Sequence, residues 1–141
     1  RQGFLQAVQT TLQDGDQNKV VVHDGTPRGV AIVVHRLFTS RTPPTSLLVS
    51  HSHAVLSVIT QLAQMKLRVP QDVSLISVGG EGFLSMVIPP PACYRINLKR
   101  YSDKLSRMAL TLARTGALPS RSVILLPEFC EGESVAPVPR A

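Results

Sequence analysis

The chain alternates, almost without a break, between amphipathic stretches and short runs of β-branched and aliphatic residues, and few architectures accept that order. Phe4, Val8 and Leu12 recur at helical spacing over residues 3–13, and Asp14-Gly15 supplies a stop. Residues 19–23, Lys-Val-Val-Val-His, read as a strand. Thr26-Pro27 opens a second helix, with Pro in the first turn where its missing N–H costs nothing. That helix runs to about Ser40 and buries Val30, Val34, Leu37 and Phe38. Residues 46–50 form an apolar strand suited to a sheet covered on both faces. A helix over 52–66 follows, with Val55, Ile59 and Leu62 on one stripe, Leu56 and Val58 on its flank, and Ser52 as its cap.

After a turn at Val69-Pro70, residues 73–78 form a second buried strand. Gly79-Gly80-Glu81-Gly82 reads as a loop, and Pro89-Pro90-Pro91 forces extended backbone. Residues 94–96 read as a short strand and Asn97 as an N-cap. The helix over 98–115 turns Leu98, Tyr101, Leu105, Met108 and Leu112 inward and ends at Gly116. Residues 122–126 read as a last strand. This order specifies an α/β fold, a mostly parallel sheet flanked by helices on both faces. Ligands of such sheets sit at the carboxyl ends of the strands, which singles out the loops after His23, Ser50 and Val78.

At 141 residues this is one domain or one lobe, and with Trp absent and aromatics at 4% its core must be aliphatic. No apolar run is long enough to cross a bilayer, and no signal peptide is visible. The net charge of +6 is scattered. Its densest part, Lys99, Arg100, Lys104, Arg107 and Arg114, falls on one helix and reads as a solvated face, not a nucleic-acid footprint. Cys93 and Cys130 match neither a disulfide framework nor a metal pattern, and read as small apolar residues in a reducing cytosol.

Three segments carry a resemblance. Pro44-Thr45-Ser46-Leu47-Leu48-Val49-Ser50-His51-Ser52 resembles the "P-T-A-strand-Asn-Asp" step of the lac/purine repressor family of bacterial transcription regulators. Leu67-Arg68-Val69-Pro70-Gln71-Asp72-Val73-Ser74 resembles that family's "G-L-x-V-P-x-D-I-S" turn. Ile88-Pro89-Pro90 with Tyr94-Arg95 resembles its "P-P-L-T-T-V-x-Q" crossover. The tail, Leu125-Leu126-Pro127-Glu128 and Glu133-Ser134-Val135-Ala136-Pro137, fits the same order, as does the Arg1-Gln2-Gly3-Phe4 opening.

The resemblance implies a periplasmic-binding-protein-like effector domain, represented over residues 1–141 mainly by its C-terminal lobe. The first lobe, the strand before the opening helix and the DNA-reading head would lie outside it. It implies a cytoplasmic regulator that senses a small molecule, whether sugar, purine or another metabolite. It also implies a homodimer that meets operator DNA only through a separate N-terminal head. The alternative on the same fold is a solute-binding protein of a transport system.

Carried over by position, the effector contacts are His51 and Ser52 in place of the family's Asn-Asp, Gly79 and Gly80 in place of paired carboxylates, and Ile96 in place of the crossover Gln. Glu81 is the one charge left in that loop. Leu56, Met86 and Val87 fall on the family's dimer interface positions. An unpaired buried hydroxyl costs about 1–3 kcal/mol, so these exchanges argue against an ordinary polyol fit: either the ligand differs, or the pocket is degenerate and the chain serves as a structural dimerisation module.

No catalytic reading competes. The glycine-rich loop lacks the Gly-Lys-Ser/Thr of a phosphate loop, and no Gly-x-Ser-x-Gly occurs. Ser52 neighbours two histidines, but adjacent residues at a helix start do not meet in nucleophile–base geometry. No metal or cofactor is expected, and exposed sheet edges suggest self-association.

Overall fold

The computed structural model describes residues 20–118 and 123–137, together with Gly3 and Gln6. The helix expected over 3–13 otherwise lies outside the described residues. Within them the order is α1 (Pro27–Phe38), β1 (Ser46–Val49), α2 (Ser52–Gln64), β2 (Ser74–Val78), a 3₁₀ turn (Gly82–Met86), β3 (Ala92–Arg95), α3 (Leu98–Thr115) and β4 (Glu128–Cys130). The four strands form one sheet in sequence order. β1–β2 and β2–β3 are parallel, and β3–β4 is antiparallel. This is the mostly parallel α/β sheet that the alternation of elements predicts.

The core forms where α1 packs on α2 and α2 packs on β1 and β2. Val30 and Val34 of α1 meet Val55, Val58 and Leu62 of α2, with Val73, Leu75 and Leu84 closing the cluster. α1 begins as expected: Thr26 Oγ1 accepts from the Gly29 N–H at 2.9 Å, and Pro27 opens the first turn. Asp24 steadies that cap by accepting from both the hydroxyl and the N–H of Thr26. Between α2 and β2, Asp72 takes the backbone N–H of Arg68 and, at 2.9 Å, its Nε, so the Val-Pro turn is held from both ends.

The tail binds the sheet from below. Ser134 is fully buried; its hydroxyl donates to the Leu75 carbonyl and accepts from the Ala92 N–H at 2.9 Å. Its own carbonyl accepts from Leu75 N–H at 2.8 Å. One serine thus ties β2 to the start of β3.

Several expectations are corrected. Val20–His23 pairs with no strand among the described residues, and Val22 is 72% exposed. β-branched residues favour a half-buried pleated surface, and no strand among the described residues provides one. Residues 123–126 are likewise unpaired, and the strand forms at Glu128–Cys130 after Pro127. Proline offers no N–H to a ladder, so pairing starts beyond it. Leu48 of β1 is 46% exposed, so among the described residues one face of that strand stays partly open. Ser52 does not cap α2: His51 occupies the cap position, without a side-chain cap bond, and Ser52 is buried.

The largest correction concerns α3. Asn97 caps it and Gly116 ends it as expected, yet none of its residues is buried. Leu98, Tyr101, Leu105 and Leu112 are exposed and Met108 is half-buried, so the expected inward stripe stands open among the described residues. Helical periodicity identifies an apolar face; it does not say what the face meets.

Candidate effector site

The carboxyl ends of β1, β2 and β3 carry the polar groups of the expected site along one rim. β1 ends at Val49, and the next two residues turn directly into α2. There Ser50 Oγ and His51 Nδ1 are hydrogen-bonded at 3.0 Å, which orients the imidazole. His53 stands 5.6 Å from His51, ring centre to ring centre. His23 meets His51 edge-on at 6.4 Å. His23 Nδ1 accepts from the Gly25 N–H at 3.0 Å, so its neutral ring carries the proton on Nε2.

β2 delivers its loop to the same place. Gly79 has φ +120°, and a Cβ there would stand 3.3 Å from Ser52 Cβ and 3.2 Å from Glu81 Oε2. The Gly79 N–H donates to the Tyr94 carbonyl, and the Ser77 hydroxyl donates to the Gly79 carbonyl, both at 2.9 Å. The loop is therefore pinned between α2 and β3. At Gly80 a Cβ would lie 2.9 Å from both Cys93 Sγ and Arg95 Nε, so the Arg95 side chain lies over this glycine.

Of the residues predicted from sequence, the structure brings His51, Ser52, Gly79, Gly80 and Glu81 to one rim. Ile96 follows β3 at the same edge, but it is 53% exposed and lines a separate hollow with Asn97, Arg100 and Leu126. Sequence reasoning pointed to the loop after His23 without naming that histidine, and it missed Arg95 as a member of the rim. The register Val78↔Tyr94, which places Arg95 beside Gly80, is not readable from either strand alone. A larger hollow, about 260 Å³, opens at the amino ends of β1 and β2 against Val135 and Pro137, and holds none of the rim residues. Among the described residues, no group of three or more His, Cys, Asp or Glu is arranged to hold a metal ion. No described helix is long and apolar enough to cross a membrane.

The positions expected at a dimer interface are Leu56, 48% exposed on α2, Met86, 85% exposed at the end of the 3₁₀ turn, and Val87, which is partly buried against the core. Leu84 of that turn joins the core cluster that contains Val55, which fixes the turn relative to α2.

The model of the periplasmic binding protein-like domain matches residues 1–135. The chain belongs to this family. No curated protein matches it in sequence. Among solved structures, this periplasmic binding protein-like chain is similar to a LacI family transcriptional regulator from Enterococcus faecium with bound ribose. The TM-score is 0.83 at 15% identity, covering 97% of this chain and 51% of that one. It is also similar to the transcription regulator CcpA of Lactococcus lactis, with TM-score 0.79 at 18% identity, covering 95% and 49%. A LacI family regulator from Bifidobacterium animalis subsp. lactis gives TM-score 0.77 at 23% identity, covering 86% and 44%. The resemblance to lac/purine repressor effector domains thus holds at the level of the fold. The chain spans about half the length of these structures.

Proposed function

We propose that the chain is the effector-binding and dimerisation part of a bacterial transcription regulator, and that its effector is an organic anion. In this reading a separate N-terminal head binds operator DNA. The lobe reports effector by shifting the population between two arrangements of the full regulator. The observation that carries the reading is the rim itself: two loops at the carboxyl ends of adjacent parallel strands converge, with His51-Ser52 against Gly79-Gly80. A crevice of this kind is where open α/β sheets take small molecules.

The chemistry of the rim supports the choice of ligand class. The hydroxyl-binding Asn and carboxylates of the resembling family are replaced by His51, Ser52, Gly79 and Gly80. Among the described residues, the side chains that remain are the imidazoles of His23, His51 and His53 and the guanidinium of Arg95, against the carboxylates of Glu81 and of Asp24 beside His23. Hydrogen bonds to a charged partner contribute about 1.5–3 kcal/mol, so a carboxylate or phosphate gains more here than a neutral sugar.

Histidine ring NMR on the purified chain tests this with weak ligands. Its four histidines include His35, near the end of α1, as an internal control. Organic acids and sugar phosphates should move the signals of His23, His51 and His53 while His35 stays in place, and neutral sugars should move none. Arg95→Ala should weaken the response several-fold. No shift with any class, or equal shifts at all four rings, sinks the proposal.

A further inference from the structure

The register of the antiparallel pair sets the chain's only two cysteines directly opposite one another, Cys93 on β3 and Cys130 on β4. Residues opposed in an antiparallel ladder point to the same face, with Cα atoms about 4.5–5.5 Å apart. A disulfide requires Cα atoms about 4.4–6.8 Å apart, and the spacing of an opposed pair falls within that range. The next pair in the ladder, Tyr94 and Phe129, confirms that side chains meet across these strands, with ring centres 5.3 Å apart on the other face. The two thiols differ in access: Cys93 is 3% exposed, whereas Cys130 is half-buried on the last strand, its thiol turned toward the Glu128 carbonyl at 3.9 Å.

The geometry points to a hydroperoxide-sensitive modification site, in which Cys130 is oxidised first and Cys93 closes an intramolecular disulfide. The Cys130 thiolate attacks one peroxide oxygen. The O–O bond breaks, hydroxide leaves, and sulfur becomes a sulfenic acid. The Cys93 sulfur then attacks the sulfenic sulfur, the S–O bond breaks, and a second hydroxide leaves. In sum two thiols and one hydrogen peroxide give one disulfide and two waters, with two electrons passing from sulfur to the peroxide. The order follows from burial and from ionisation. Burial, reinforced by the neighbouring Cys130, pushes the Cys93 thiol up, and Arg95 offsets this only in part. Cys93 is therefore the poorer first nucleophile and the resolving partner.

The bond would close a loop that carries the whole of α3, whose apolar stripe is open among the described residues. It would also fix the sulfur that faces Gly80 at the rim. The site stands on strand register alone, so its failure leaves the effector proposal untouched.

The test treats the reduced chain with one equivalent of hydrogen peroxide and maps it by mass spectrometry without reductant. The expected product is a monomer lighter by two hydrogens, in which the Cys93 and Cys130 peptides are joined, melting about 5–10 °C higher. Cys130→Ser should abolish the reaction. Cys93→Ser should hold Cys130 as a sulfenic acid that dimedone labels, and Cys93→Ala serves if serine unfolds the chain at that buried position. The proposal is overturned by peptides joined only between two chains, by Cys130 reaching sulfinic acid while Cys93 stays free, or by a wild-type chain that consumes no peroxide.

Discussion

Ser134→Ala removes one oxygen atom from a fully buried site, and the structure lets its cost be worked out. The hydroxyl serves two backbone groups, accepting from the Ala92 N–H and donating to the Leu75 carbonyl. Alanine keeps the backbone and most of the volume, and the Leu75 N–H retains its bond to the residue 134 carbonyl. What is lost is the partner of a donor on β3 and of an acceptor on β2, in a place where the serine has no exposed surface through which water could substitute. Leaving a buried polar group unpaired costs about 1–3 kcal/mol, so two such groups give a loss of about 2–6 kcal/mol. A domain is stable by about 5–15 kcal/mol, so the change should be plain in urea denaturation as a lower midpoint at unchanged slope. Ser85→Ala is the control: its exposed hydroxyl donates to the Gly82 carbonyl, and its loss should stay within about 0.5 kcal/mol. A loss for Ser134→Ala no larger than for Ser85→Ala would refute the claim that this residue staples the sheet.

Two further outcomes follow from the same structure. Hydrogen bonds from the Arg68 side chain and then its backbone N–H hold the Asp72 carboxyl below its ordinary range, and the hydroxyl and then the N–H of Thr26 do the same for Asp24. A carboxyl depressed by folding contributes stability that is present above its unfolded pKa and is lost as pH falls through its folded pKa. Stability should therefore decline below the ordinary carboxylate range, with a shallower slope in Asp72→Asn; an unchanged slope counts against the bridge. If α2 takes part in a homodimer, Leu56→Glu should convert a self-associating chain to monomer in analytical ultracentrifugation without lowering its melting temperature. A wild-type chain that is already monomeric rejects the interface.

The sequence was most legible where a residue's role is local. The Thr26-Pro27 start, the Asn97 cap, the Gly116 stop and the turn at Val69-Pro70 each depend on neighbours a few positions away, and each forms as expected. The misreadings share a different cause. Among the described residues, Val20, Val21 and Val22 have strand propensity without a strand beside them, and α3 has a correct apolar period without a packed face. Propensity and period describe what a segment can bury, and a partner elsewhere in the chain decides whether it does. The rim behaves in the same way. His51 and Gly79 could be named from the order of strands and loops, whereas Arg95 and the Cys93–Cys130 pair emerge only from register.

The glycines at the rim also change how the departure from the family is understood. A simple exchange of acids for glycines would leave a site that two mutations could restore. Here the backbone itself is fitted to glycine. At φ +120° Gly79 occupies a conformation that L-residues rarely adopt, and a Cβ would press on Ser52 from above. Gly80 passes so close to Cys93 and Arg95 that a Cβ needs both side chains to give way. Ser52 is itself buried against this loop, which leaves the small residue at that position, the glycines of the loop and the Arg95 that overlies them as one mutually dependent set. A change at any one of these positions therefore disturbs the others. That is the physical reason for treating this rim as a site with a chemistry of its own, and for looking to charged small molecules instead of the polyols that paired carboxylates would hold.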